Sequence, residues 1–172
     1  MNRNLNIVML GATGVVGTEV VSTLLTMPEL AKLTLLGRRE VEDIGHDGVH
    51  QHKADIFDPA SYMMHLRGHE TAICTLGVGE PSKVSREDFV RIDKLAVLDF
   101  ATACKTAGVR HFQLLGSIGA DAASLSFFLR TKGELEEALK ALGFERLSIF
   151  QPSMILTPEN RYGLTQALTL WG

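Results

Sequence analysis

Seven consecutive residues constrain this chain more than any others. Gly11-Ala12-Thr13-Gly14-Val15-Val16-Gly17 spaces three glycines as GxxGxxG. The motif follows the apolar run Leu5–Leu10 and opens a stretch of helical periodicity at Val15. In that strand-turn-helix context each glycine has a task. Gly11 permits a tight turn, Gly14 lets a diphosphate approach the backbone, and Gly17 lets the helix pack against a sheet. The helix start offers free N–H groups and a partial positive charge, so Thr13, Gly14, Val15 and Val16 are candidate contacts for a dinucleotide.

The rest of the chain repeats the alternation. Helical stretches are expected over Val15–Met27, Asp58–Leu66, Arg86–Ala107 and Phe127–Leu142. Asp58 and Pro59 read as the cap and first residue of the second. Gly108 and Gly143 close the last two. Apolar runs at Leu33–Leu36, Val49–Ala54, Thr71–Leu76, His111–Leu115 and Arg146–Phe150 read as strands. Strands alternating with helices imply right-handed crossovers and an α/β, doubly wound parallel sheet in a single domain. Ligands of such sheets bind beyond the carboxyl ends of the strands.

Composition narrows the function classes. Hydrophobic residues are 45% and charged residues 22% of the chain, so wholesale disorder is excluded. The net charge of -3 does not favour nucleic acid as a partner. No apolar run is long enough for a membrane span, and the N-terminus has no signal-peptide core. Cys74 and Cys104 form no CxxC pair, which fits a reduced, cytoplasmic setting. His50-x-His52 and His65-x-x-x-His69 are the nearest histidine pairs; no cysteine joins either, and they read as solvated, with no metal expected.

Beyond the second strand, Leu36-Gly37 is followed by Arg38-Arg39. An NAD-selective site usually places an acid here. Guanidinium groups instead suit a 2′-phosphate and can stack on adenine, which favours NADP(H) over NAD(H). Asp55-Ile56 after the third strand can flank the adenine, or Asp55 can form a turn with Phe57.

With these residues in place, the chain resembles the atypical short-chain dehydrogenase/reductase family, in particular its Tat-interacting-protein-like NAD(P)H-binding branch. The matching stretches are GATGVVG (11–17), TLLGRR (34–39), CTLG (74–77), FVRID (89–93), HFQLLGSIGAD (111–121), TKGELEEAL (131–139) and RLSIFQPSMIL (146–156). The resemblance implies a Rossmann domain over residues 1–158 and a short tail over 159–172. It also implies about forty further residues of substrate region beyond Trp171. It assigns Thr75, Leu76 and Gly77 to the floor of the cofactor site, although Gly77 also suits a plain turn. Pro152, Ser153 and Met154 match the segment near nicotinamide, or an edge turn.

The family's catalytic pattern is a Ser after the fifth strand and Tyr-x-x-x-Lys on the next helix. Ser117 and Lys132 match, but Phe128 stands at the tyrosine position. A phenyl ring has no proton to give, whereas Lys132 can still bind ribose. Tyr62 lies on the wrong helix and Tyr162 in the tail. Asp93 falls on the apolar stripe of the long helix; it is either a structural link beneath the site or a stripe-edge acid. Two functions follow: an NADP(H)-binding protein with weak or absent reductase activity, or an active NADP-dependent reductase of a small carbonyl compound. The resemblance also makes a homodimer through the two long helices an option.

Overall fold

A computed structural model describes residues 4–153 and 155. Its centre is a six-stranded parallel sheet of order β3-β2-β1-β4-β5-β6. The strands are β1 (Leu5–Leu10), β2 (Leu30–Gly37), β3 (Val49–Lys53), β4 (Thr71–Cys74), β5 (His111–Leu115) and β6 (Arg146–Phe150). The expected doubly wound α/β architecture is therefore present. Alternation along β1 explains why it takes the centre. Val8 and Leu10 pack with Phe100, Phe112 and Leu135 on one face, while Ile7 and Met9 pack with Val21, Leu24 and Leu33 on the other. All four are at least 95% buried, as a strand covered on both sides requires.

Helix α1 (Val15–Leu25) covers the β1–β2 face, with Gly17, Val21 and Leu24 inward. The long helix has three parts: α2 (Arg86–Val90), a π segment (Arg91–Ala96) and α3 (Val97–Thr106). Helix α4 (Phe127–Ala141) lies beside it. Gly108 and Gly143 take φ of 93° and 65° just past α3 and α4, the left-handed geometry that ends a helix.

Three expectations need correction. The segment 58–66 is not an α-helix but two 3-10 turns, Pro59–Ser61 and Met63–His65. Asp58 does cap it, accepting from the Ala60 amide. The Ser61 hydroxyl, however, bonds the carbonyls of Asp55 and Asp58 and so competes with helical pairing. The long helix is not uniform: Arg91–Ala96 form a π segment, and the buried Asp93 lies within it. His69 is not solvated. It is 4% exposed, and its Nδ1–H donates to the Leu66 carbonyl while Nε2 pairs with the Thr34 hydroxyl.

Register fixes where a ligand can sit. Leu10 lies opposite Leu36 on one side and Cys74 on the other. The loops that start at Gly11, Gly37 and Thr75 therefore emerge side by side at the carboxyl edge. The chain turns left from β1 to β2 and β3, then returns to the right through β4, which leaves the switch point between β1 and β4. No helix among the described residues is long and apolar enough to cross a membrane.

Candidate dinucleotide site

The glycine turn is built as its spacing predicts. Gly11 has φ +95°, and an added Cβ there would strike the backbone of Thr75 and Leu76. A Cβ on Gly17 would run into the Gly11 carbonyl, so α1 seats against the turn only with glycine. Gly14 differs. A Cβ there would meet nothing closer than the Gly11 oxygen at 3.4 Å, so the protein's own packing does not demand glycine. Its bare backbone leaves room for something outside the chain. Gly14 is also the N-cap of α1, with no side-chain cap bond and no acid in the first turn. The amides at this helix start are thus left without a side-chain partner and face the carboxyl edge, the arrangement an anionic diphosphate fits.

Beside it lies a cleft of about 70 Å³ lined by Gly11, Ala12, Thr13, Gly37, Arg38, Arg39, Val41, Ile56 and Leu76, among others. Six expected contact residues meet here: Gly11, Thr13, Arg38, Arg39, Ile56 and Leu76. Arg38 and Arg39 are exposed, and neither is in an ion pair among the described residues, so Glu40 does not neutralise them. A residue with no signal in the sequence fixes the arginine loop. The Gln51 side chain bonds both the amide and the carbonyl of Val41, at 2.8 and 2.9 Å.

Asp55 precedes the cleft-lining Ile56 but does not itself line the cleft; its carboxylate accepts from the Phe57 amide at 2.9 Å in a tight turn. Thr75 turns its hydroxyl onto the Gly11 carbonyl at 2.9 Å, tying β4 to the glycine turn. Gly77 has a steric duty, since a Cβ would come 3.1 Å from Asp93 Oδ1.

The other end of the edge carries the ionisable groups. Asp93 is 2% exposed and accepts from Lys132 Nζ at 2.6 Å. Its second oxygen accepts from the Val78 amide at 2.8 Å. One carboxylate thus joins the long helix, α4 and the loop after β4. Its role as Lys132's partner was signalled only by a charge on an apolar stripe. Phe128 lies one helical turn before Lys132, with its ring centre 6.0 Å from Nζ and 5.4 Å from that of Phe89. A hydrocarbon ring therefore stands beside the ammonium.

Ser117 is half-buried on the loop after β5 and donates only to its neighbour's carbonyl, at 3.4 Å. The loop is placed by bonds from the Gly116 amide to the Phe150 carbonyl and from the Ile118 amide to the Pro152 carbonyl. Pro152 and Ser153 therefore lie beside Ser117's loop; Met154 and Tyr162 lie outside the described residues. Glu136, buried on α4, accepts from the Gln151 side chain beneath this region, a link with no signal in the sequence.

Tyr62 is fully buried against Phe100, and burial raises its pKa well above the ordinary phenol value. It belongs to the core. Burial also pushes the Cys74 thiol up to about 12 and the Cys104 thiol well above its ordinary value, so neither is a thiolate nucleophile. Among the described residues no cluster of three or more histidine, cysteine or acidic residues could hold a metal.

Comparison with known proteins agrees with this geometry. Residues 11–165 match the family described as NAD(P)H-binding. The chain is 35% identical over 156 residues to protein HTATIP2 of Rattus norvegicus, covering 90% of this chain and 64% of that protein. It is 31% identical over 151 residues to the mitochondrial protein FMP52 of Meyerozyma guilliermondii, covering 87% and 64%. The chain thus spans just under two thirds of the length of these relatives. Among solved structures, Bordetella bronchiseptica WbmH in complex with NAD+ superposes with a TM-score of 0.76 at 15% identity, covering 92% of this chain and 59% of that one. Citrobacter triphenylmethane reductase complexed with NADP(H) does so at 0.69 and 17%, covering 87% and 50%.

Proposed function

The chain belongs to the NAD(P)H-binding family, and from that premise we propose that it binds NADP(H) in preference to NAD(H) and is a weak or inactive reductase. The observation that carries the binding is the uncapped start of α1 at Gly14, flanked by a cleft lined by two arginines that are in no ion pair among the described residues. Gly11, Thr13, Gly14, Val15, Val16 and Gly17 would cradle the diphosphate. Arg38 and Arg39 would take the 2′-phosphate. Ile56 and Leu76 would wall the adenosine half, and Lys132 would reach the nicotinamide ribose.

When bound, the dinucleotide supplies hydride-transfer chemistry. The protein's share is geometry and a proton. Ser117 would orient a carbonyl, and Asp93 anchors Lys132 Nζ at 2.6 Å. At the position one turn before Lys132, where the resembling family keeps a tyrosine, Phe128 can neither donate nor accept a proton. A general acid in such a step is worth about 10²- to 10⁴-fold. Its absence supports a protein that holds its cofactor better than it uses it. The second reading, an active reductase of a small carbonyl compound, is favoured by Ser117 and Lys132 themselves, both at the carboxyl edge.

Titration with NADPH and NADH, followed by ligand fluorescence, tests the binding. NADPH is expected to bind more tightly, and Arg38→Ala to weaken it about tenfold while leaving NADH unchanged, the loss of one charge-assisted bond. Equal affinity for the two, insensitive to Arg38, would refute the NADP(H) preference. Binding of neither would refute the site.

A further inference from the structure

Arg91 is a residue that the cofactor reading leaves unused. It is exposed at the start of the π segment, and it is in no ion pair among the described residues. Its guanidinium carbon instead lies 3.8 Å from the centre of the Phe57 ring. That is close cation–π contact, at the short end of such geometries. Phe57 is half-buried, with one side against the main core. The ring is therefore held between the core and a flat cation.

Phe57 closes the turn that follows β3, directly after the cleft-lining Ile56. Its amide donates to Asp55 Oδ1, and the residue between them, Ile56, lines the cleft beside Arg38 and Arg39. Apart from the strand bond from the Ala54 amide to the Gly37 carbonyl, the turn's polar bonds are local, to Ser61 and within Asp55–Ala60. Local bonds fix the turn's shape but not its distance from the arginine loop. Packing contributes to that distance: Ile56 is itself buried in the main core, and Phe57 packs against the same core with the Arg91 guanidinium over its ring.

We propose that Arg91 is a positioning residue for the adenosine pocket, pressing Phe57 so that Ile56 forms the wall of the cleft. The proposal rests on the cofactor reading above and deepens it at one end. Two residues further along the same π segment, Asp93 grips Lys132 and Val78. One short piece of backbone therefore reaches the walls at both ends of the site, and an experiment must separate the two.

Two probes do so: 2′,5′-ADP, which carries only the adenosine half, and NADPH. Arg91→Ala should weaken both by the same factor, about fivefold, the scale of one partly desolvated cation–π contact. Phe57→Leu should cost about as much, and the double variant no more than either alone, because both remove one contact. Arg91→Lys should recover part of the loss. The thermal midpoint of the ligand-free protein should fall by about 2–4 °C, the scale of one such contact, and a fall of that size without any loss of 2′,5′-ADP affinity would mean a purely structural role. Should Arg91→Ala fail to fold, Arg91→Lys and Phe57→Leu carry the same comparison.

An unchanged affinity of Arg91→Ala for 2′,5′-ADP would overturn the proposal. So would a larger loss for NADPH than for 2′,5′-ADP, since Arg91 would then act through the Lys132 end. Additive losses in the double variant would overturn it as well. If the unaltered protein binds neither probe, the cofactor reading itself falls, and the proposal with it.

Discussion

At the scale of single residues, the decisive side chain is Asp93. A carboxylate at 2% exposure is tolerable only because Lys132 and the Val78 amide satisfy its two oxygens. Removing one partner leaves the other charge buried alone. Asp93→Ala is therefore expected to cost about 3 kcal/mol in chemical denaturation. Asp93→Asn should cost less, because the amide oxygen still accepts from Val78. Equal stability of the alanine variant and the parent would contradict the pairing. The sequence showed that this acid needed a partner, because it sits between Phe89 and Ala96 on an apolar stripe. It could not show which partner, since Lys132 lies 39 positions away.

At the scale of elements, the edge strand β3 carries a pH dependence. The rings of His52 and His65 stack with centroids 3.7 Å apart, joining β3 to the 3-10 turn behind it. Burial lowers the pKa of His52, and the neighbouring His65, His50 and Lys32 lower it further. Burial likewise lowers that of His69, against a raising hydrogen bond to Leu66. A histidine whose folded pKa is depressed binds fewer protons folded than unfolded. Its stabilising effect is complete above the unfolded value of about 6.5 and is lost as pH falls below it. The thermal midpoint should therefore be lower at pH 5.5 than at pH 7.5. His65→Gln should flatten that slope. A midpoint that rises on acidification would reverse the argument. None of this was legible from the spacing of the histidines, which suggested solvated side chains; the stacked pair joins residues 13 positions apart, on β3 and on the 3-10 turn Met63–His65.

At the scale of the whole molecule, the question is whether binding is coupled to chemistry. The glycine turn, the arginine loop and Lys132 come from α1, β2 and α4, and the sheet's register brings their ends to one edge. If Phe128 is what limits the reaction, Phe128→Tyr should raise NADPH oxidation over a panel of carbonyl compounds by about 10²-fold from near background. Robust turnover by the unaltered chain would overturn the impaired reading and favour the active reductase.

The sequence by itself determined the fold class and the strand–turn–helix geometry of the glycine motif. Both are written in local signals, the period of apolar residues and glycines at fixed offsets, which act within a few residues of each other. Three strands, Leu5–Leu10, His111–Leu115 and Arg146–Phe150, have the limits their apolar runs predict. Only the tertiary structure decided who partners whom between elements: Lys132 for Asp93, Gln51 for Val41, Thr75 for Gly11, Arg91 for Phe57. Each of these contacts joins separate elements or loops, and its geometry depends on distances that no local pattern encodes.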